Sequence, residues 1–372
     1  MDNPRVQSGK LWDIFCRVID NYGDIGVCWR LAVNLSQRGQ RVRLWVDDAS
    51  TLSWMAPAGQ PDVQVIPWAE SLRPVALPPA DIWLEAFGCE IAPVFIATQR
   101  GTTRPGSQNL IWINLEYLSA EAYVALNHGL PSPVMTGPGR GLVKYFFYPG
   151  FVPDSGGLLR EADLSLRQAR FNREDWLQQL GIQLNGEQLL SLFCYEPAVL
   201  GELLTRLAGG VTPTRLLVTV GRASAVVATV IQDKNRAEPL WNRASLLSIS
   251  YLPALTQQDY DHLLWACDLN FVRGEDSLVR ALWAGKPLVW QIYPQNDGAH
   301  LVKLQAFLDL IKAPATLRKF HQRWNEATAT GQFNLPRFEL PEWQQTVLTA
   351  RKTQLGGPDL VERLLQFVSK NH

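Results

Sequence analysis

The chain has no excess of either charge. Its 35 Lys and Arg stand against 35 Asp and Glu, so no basic field invites nucleic acid or an anionic membrane surface. It lacks C-x-x-C, H-E-x-x-H and any cluster of His with carboxylates at ligand spacing, so a structural or catalytic metal has little support. The G-x-G-x-x-G spacing is missing, which disfavours a nicotinamide dehydrogenase. No apolar run approaches the roughly 20 residues that span a bilayer, and the first ten residues are polar, so a soluble, cytoplasmic protein is expected. There is no short-period repeat and no low-complexity tract. The five cysteines, Cys16, Cys28, Cys89, Cys194 and Cys267, are odd in number and mostly embedded in apolar runs, and they read as buried free thiols.

What the chain does have is alternation. With 372 residues, two domains are the default expectation. Residues 12–19, 27–38 and 42–46 read as strand, helix and strand. Further apolar strand candidates follow at 63–66, 81–87 and 110–115, continuous enough for a parallel sheet covered on both faces. A Gly- and Pro-rich stretch at 131–157, broken by the aromatic run 144–149, reads as a crossing or cleft-lining loop. After a helix near 173–180 the alternation restarts with strands at 189–194, 216–220 and 246–251 and a helix at 259–267. The 14 Trp residues could serve core or stacking surfaces, core being the commoner use.

Residues 268–292 carry the clearest local signal: strand, charged turn, helix, glycine stop, strand. Asp276 or Ser277 can cap a helix that Gly285 ends, and Pro287 opens the next strand. A helix start of this kind suits a phosphate, and Arg273, Glu275 and Asp276 are more charge than a plain connection needs. The connection Asp20-Asn21-Tyr22-Gly23-Asp24 lies at the carboxyl end of the first strand, where ligands of open α/β sheets bind. Asp20 and Asp24 could be a general base and its orienting partner, or an Asx-turn and a helix cap. At the corresponding strand end of the second half, Phe193 could stack on a base and Tyr195 could donate to a phosphate. Tyr251 and Tyr293 end further strands at the same presumed ligand edge. Each of these is as easily read as ordinary packing.

Two α/β halves with these motifs resemble the GT-B glycosyltransferases, in which two Rossmann-like domains face each other across a central cleft. A closer resemblance rests on longer motifs. Trp-Asp-Ile-Phe-Cys at 12–16, Asp-Asn-Tyr-Gly-Asp-Ile-Gly-Val at 20–27, Asn-Leu-Glu-Tyr-Leu-Ser at 114–119, Phe-Tyr-Pro-Gly-Phe at 147–151, Gly-Gly-Leu-Leu-Arg at 156–160 and Val-Arg-Gly-Glu-Asp-Ser at 272–277 are similar to those of the EarP family of protein-arginine rhamnosyltransferases. The resemblance runs over nearly the whole chain.

It implies inverting transfer of L-rhamnose from dTDP-β-L-rhamnose to an arginine of elongation factor P, with no cofactor beyond the donor and no metal. It implies an acceptor-binding domain at 1–170, a donor-binding domain at 171–355 and a final helix, within 356–372, that could pack on either. Asp20 is then the general base and Asp24 its supporting carboxylate. Asn21, Tyr22, Gly23, Phe193, Tyr195, Tyr251, Arg273, Glu275, Asp276, Ser277 and Tyr293 face the donor, with Glu275 essential to it. Asp47, Asp48, Asn114, Glu116 and Tyr117 are candidates for meeting the acceptor. Without the resemblance, the same motifs fit a nucleotide-sugar transferase acting on a small molecule or lipid, a sugar-nucleotide epimerase, or a non-catalytic nucleotide-binding regulator.

Overall fold

The computed structural model describes residues 9–19, 22–73, 77–102, 110–295, 298–326 and 335–371. The chain divides into two compact units, Met1–Ala162 with Gly357–His372, and Asp163–Gly356.

The first unit is built on strands β1 (Leu11–Cys16), β2 (Arg41–Val46), β3 (Val63–Pro67), β4 (Ile82–Ala86), β5 (Ile111–Leu115), β6 (Pro131–Pro133) and β7 (Val143–Phe147). They form one sheet in the order β3-β2-β1-β4-β5-β7-β6, parallel except where β6 runs against β7. Successive side chains on a strand point to opposite faces, and the two faces differ in chemistry. Ile14, Leu44, Leu84 and Ile113 belong to an aliphatic cluster that also takes in Ile25, Cys28 and Leu31 of helix α1 (Gly23–Gln37), while Phe15, Trp45, Trp83 and Trp112 form an aromatic layer with Phe95 on the other face. The Trp content is thus largely core: Phe15 stacks on Trp45 at 5.6 Å and Trp83 meets Trp112 edge-on at 5.5 Å. Within that buried layer Asp13 accepts from Arg43 Nε and Nη2, both at 2.6 Å, and from Trp45 Nε1 at 2.8 Å. Burial pushes its carboxyl up, and Arg43 pulls it back.

The second unit contains β8 (Gln188–Leu192), β9 (Thr214–Val218), β10 (Leu247–Tyr251), β11 (Leu269–Arg273) and β12 (Leu288–Gln291), all parallel in the order β10-β9-β8-β11-β12. In both sheets the chain starts in the middle, winds outward one way, then returns to wind the other way. The strand order therefore reverses between β1 and β4 in one unit and between β8 and β11 in the other. Ligands of such sheets bind outside the carboxyl ends of the strands at that reversal.

Three expectations are corrected or resolved. The boundary expected at 170 falls at 162/163, because helix α2 (Leu164–Arg170) belongs to the second unit: Gln168 Nε2 donates to the Trp283 carbonyl at 2.7 Å, and Arg167 pairs with the buried Asp261. The final helix belongs to the first unit. Its carboxylate cap, Asp359, accepts from Val361 N and Glu362 N, pairs with Arg38, and starts a helix whose Leu360, Val361, Leu364 and Val368 enter the aliphatic core. The first strand, expected to reach 19, ends at Cys16. There Asp47 Oδ1 accepts from Val18 N at 2.9 Å and Asp24 Oδ2 from Ile19 N at 2.8 Å, drawing the backbone out of the ladder.

Candidate functional site

In the second unit the functional edge is assembled around Arg273, the last residue of β11. Its side chain is 4% exposed, and its guanidinium lies 4.5 Å from the ring centres of both Phe193 and Tyr195, which follow β8 across the strand-order reversal. Nη1 reaches the Cys194 carbonyl at 3.5 Å, while the buried Nε has no hydrogen-bond partner among the described residues. A guanidinium is planar and weakly hydrated, so it can be stacked on aromatic rings and still present its remaining N–H groups to an anion. The thiol of Cys194, the residue between Phe193 and Tyr195 in sequence, is buried, which pushes it up to about 12 and away from thiolate chemistry.

Helix α3 (Gln257–Ala266) supplies Tyr260, edge-on to Phe193 at 5.6 Å, with its phenol raised by burial. Helix α4 (Gly274–Ala284) starts directly after Arg273, at Gly274, whose φ of +68° is a conformation that favours glycine. The expected cap at Asp276 or Ser277 is corrected: Arg273 holds the N-cap position, and Glu275, Asp276 and Ser277 are all in the first turn. Arg273 has no acceptor to offer the helix, so it contributes a cation where a capping oxygen ordinarily sits. The glycine stop holds as read, with Gly285 left-handed at φ +68°.

Other expected residues join this cluster to different degrees. Tyr195 N donates to Gln291 Oε1 at 2.8 Å, and its ring meets Tyr293 edge-on at 5.5 Å. Glu275 pairs with Lys303 of helix α5 (Ala299–Leu310). Tyr251 ends β10, two strands from β8 and thus roughly 10 Å away along the sheet, half exposed and outside the Arg273 cluster. Tyr260 and Lys303 fall outside the expected set. Gln291 ends a strand at the ligand edge and was within reach of the pattern, whereas nothing in the sequence singles out Lys303.

In the first unit the same sheet edge carries the other motif. Asp20 and Asn21 lie outside the described residues. Tyr22 precedes α1 with its ring edge-on to Trp54 at 5.3 Å, Gly23 opens the helix, and Asp24, 5% exposed, sits in its first turn holding Ile19 N. That bond joins Ile19 to the first turn of α1. Asp47 holds Val18 N and also accepts from Asp48 N, so its carboxylate is engaged in the scaffold. Asp48 is exposed, and hydrogen bonds from Ser50 hold its carboxyl below the usual range.

On the other side of β1, beyond β4, Asn114 Nδ2 donates to Glu116 Oε1 at 2.7 Å, leaving the buried Asn114 Oδ1 without a partner among the described residues. Half-burial raises the Glu116 carboxyl, and Tyr117 stacks on Phe87 at 5.0 Å, half exposed. The structure thus brings Asp24, Asp47, Asp48, Asn114, Glu116 and Tyr117 to one edge of one sheet, though not into one contact group. Among the described residues no group of three or more His, Cys, Asp or Glu could hold a metal ion, and no helix is long and apolar enough to cross a membrane.

Against known proteins, residues 12–369 match the family model described as the elongation factor P rhamnosyltransferase EarP. A protein-arginine rhamnosyltransferase of Pseudomonas aeruginosa is 43% identical, the alignment covering 96% of this chain and 98% of that protein; one of Shewanella oneidensis is 36% identical over 97% and 98%. A solved structure described as the basis for EarP-mediated arginine glycosylation of translation elongation factor EF-P superposes with a TM-score of 0.66 at 32% identity, covering 98% of this chain and all of that one. Arabidopsis thaliana UGT89C1, at 11% identity and a TM-score of 0.53, shares the fold alone.

Proposed function

The chain belongs to the EarP family of elongation factor P rhamnosyltransferases and is a protein-arginine glycosyltransferase, and on that premise we propose that it moves L-rhamnose from dTDP-β-L-rhamnose to one arginine of elongation factor P with inversion at the anomeric carbon. The observation that carries the donor half is the Arg273 guanidinium, stacked between Phe193 and Tyr195 at the strand-order reversal and directly before a helix start. Such a site meets the three needs of a nucleoside diphosphate: a cation and helix dipole for the diphosphate, flat rings, and polar side chains for the sugar. Ser277 and Asp276 in the first turn of α4 are assigned to the last of these, and Glu275 to the rhamnose end of the donor.

Arginine is a poor nucleophile, because its guanidinium stays protonated with a pKa above about 12 and its lone-pair density is delocalised. In the proposed mechanism Asp20 accepts a hydrogen bond from the attacking nitrogen and takes a proton as the nitrogen–C1 bond forms. The bond from C1 to the diphosphate oxygen breaks on the opposite face, and dTDP leaves with its electron pair. Asp24 holds the loop from which Asp20 acts, and Arg273 with the α4 start meets the charge that develops on the leaving group. The acidic and aromatic edge at Asp48, Glu116 and Tyr117 suits a basic acceptor loop.

The test is incubation with dTDP-rhamnose and elongation factor P, followed by intact-mass and fragment-mass measurement. One deoxyhexose on one arginine is expected. An altered free sugar nucleotide without protein adduct would mean an epimerase, and near-normal turnover by a folded Asp20→Asn variant would remove the base assignment.

A further inference from the structure

We propose that Lys303 is a positioning residue of the donor site: its ammonium fixes the Glu275 carboxylate and cancels its charge where the donor's diphosphate-linked sugar sits. This rests on the reading of the α4 start as that site. The start of α4 gathers two carboxylates, Glu275 and Asp276, beside one cation, Arg273. Lys303 adds a second cation, paired with Glu275, at a helix start proposed to take a diphosphate.

Lys303 comes from α5, which begins after the β12 edge that also carries Tyr293, and its ion pair with Glu275 ties the starts of α4 and α5 together. Both partners are largely enclosed, with side-chain exposures of 19% for Lys303 and 23% for Glu275, so solvent screens the pair far less than an open surface bridge. A carboxylate near a helix start is otherwise free to fold back onto its own first-turn N–H groups. The pairing with Lys303 restrains that carboxylate from the α5 side before the donor arrives.

The experiment compares Lys303→Ala, Lys303→Arg, Glu275→Gln and the Glu275→Gln/Lys303→Ala double variant, reading kcat, KM for dTDP-rhamnose, KM for the acceptor protein, dTDP affinity and melting temperature. Lys303→Ala should lower kcat/KM for the donor roughly tenfold or more while acceptor KM and melting temperature stay near wild type, and Lys303→Arg should recover most of it. In the Glu275→Gln background the same Lys303→Ala change should have little further effect, because the lysine acts through the carboxylate. An undiminished penalty in that background would mean that Lys303 touches the donor itself. Equal losses for both substrates with a lower melting temperature would mean a structural tie only. Either result overturns the proposal. If Glu275→Gln alone leaves donor kinetics unchanged, the donor-site reading of Glu275 falls; if it is damaging and Lys303→Ala is silent, only the role of Lys303 falls.

Discussion

Replacing Arg273 with Met should separate function from stability in an unusual direction. Arg273 is a buried cation, and among the described residues no carboxylate lies within ion-pair distance of it. What the fold gains from it is two cation–π contacts, worth about 0.5–2 kcal/mol each, and one long hydrogen bond to the Cys194 carbonyl at 3.5 Å, at the weak end of the range. Against these stands the desolvation of a charged group, which costs several kcal/mol when no opposite charge compensates it. Methionine has a similar reach and a polarisable sulfur that also packs well on rings.

The net change in folding free energy should therefore lie within about 2 kcal/mol of zero, and a gain would be unsurprising. Donor affinity should respond oppositely: with Arg273 receiving the diphosphate as proposed, its loss should cost about 2–4 kcal/mol, or roughly 30- to 800-fold in Kd. Denaturant unfolding with an unchanged m-value and a calorimetric titration with dTDP read the two quantities in the same preparation. Severe destabilisation with dTDP affinity intact would refute the reasoning and make Arg273 a structural residue whose stacking serves the core.

Two further outcomes follow from the geometry. Asp24→Ala removes the acceptor of Ile19 N and a first-turn carboxylate from α1, so stability should fall by about 1–2 kcal/mol and kcat by more than dTDP affinity, since the loop that bears Asp20 is loosened while the donor edge is untouched; equal turnover by a folded variant would show that this tie is dispensable. His321 is buried with Nε2 accepting from Trp290 N and Nδ1 donating to the Leu317 carbonyl, and burial lowers its pKa from 6.5 to about 4. The unfolded chain binds a proton between those values that the folded chain refuses, so stability should decline by about 3 kcal/mol as pH falls from 6.5 to 4 and then cease to depend on this group. Unfolding of wild type and His321→Asn at pH 7 and pH 4.5 isolates it, and identical pH slopes for the two would refute the assignment.

The architecture was legible because a parallel sheet buried on both faces leaves almost unbroken apolar strands, and Leu11–Cys16, Ile82–Ala86 and Leu269–Arg273 are buried at every position. Boundaries were less legible where side chains from elsewhere decide them. The strand that starts the chain reads as continuing through Val18 and Ile19, and only the carboxylates of Asp47 and Asp24, from a neighbouring strand end and the following helix, take those two backbone N–H groups away. By sequence the first domain ends at 170 with no helix read at 164–170, and a carbonyl more than a hundred residues away, that of Trp283, helps hold the helix found there to the second unit. Lys303 is the extreme case. A lysine on a helix is ordinarily a solvated charge, and its pairing with Glu275 depends on two helices starting side by side, a relation no local period encodes.

The site itself was legible in a different way, through strand ends rather than through composition. Phe193 and Tyr195 follow β8, Arg273 ends β11, and residues 17–19 follow β1, and each of these places adjoins the reversal of strand order in its own sheet. At that point the two connections leave on opposite faces, which opens a gap that neither fills with its own helix. Side chains placed there need not pack a core, so their chemistry can be spent on a ligand. A stacked guanidinium without a carboxylate partner is a poor choice for holding a sheet together and a good one for receiving an anion. The cysteines at the same strand ends mark the opposite limit: Cys16 and Cys194 are fully buried, and burial, with a smaller push from Glu196, keeps the Cys194 thiol at about 12 despite the neighbouring Arg273. The division between working edge and inert core therefore falls within one or two residues of each strand's last ladder bond, close enough that substitutions at 193 and 194 should differ in kind, the first read in donor binding and the second in stability.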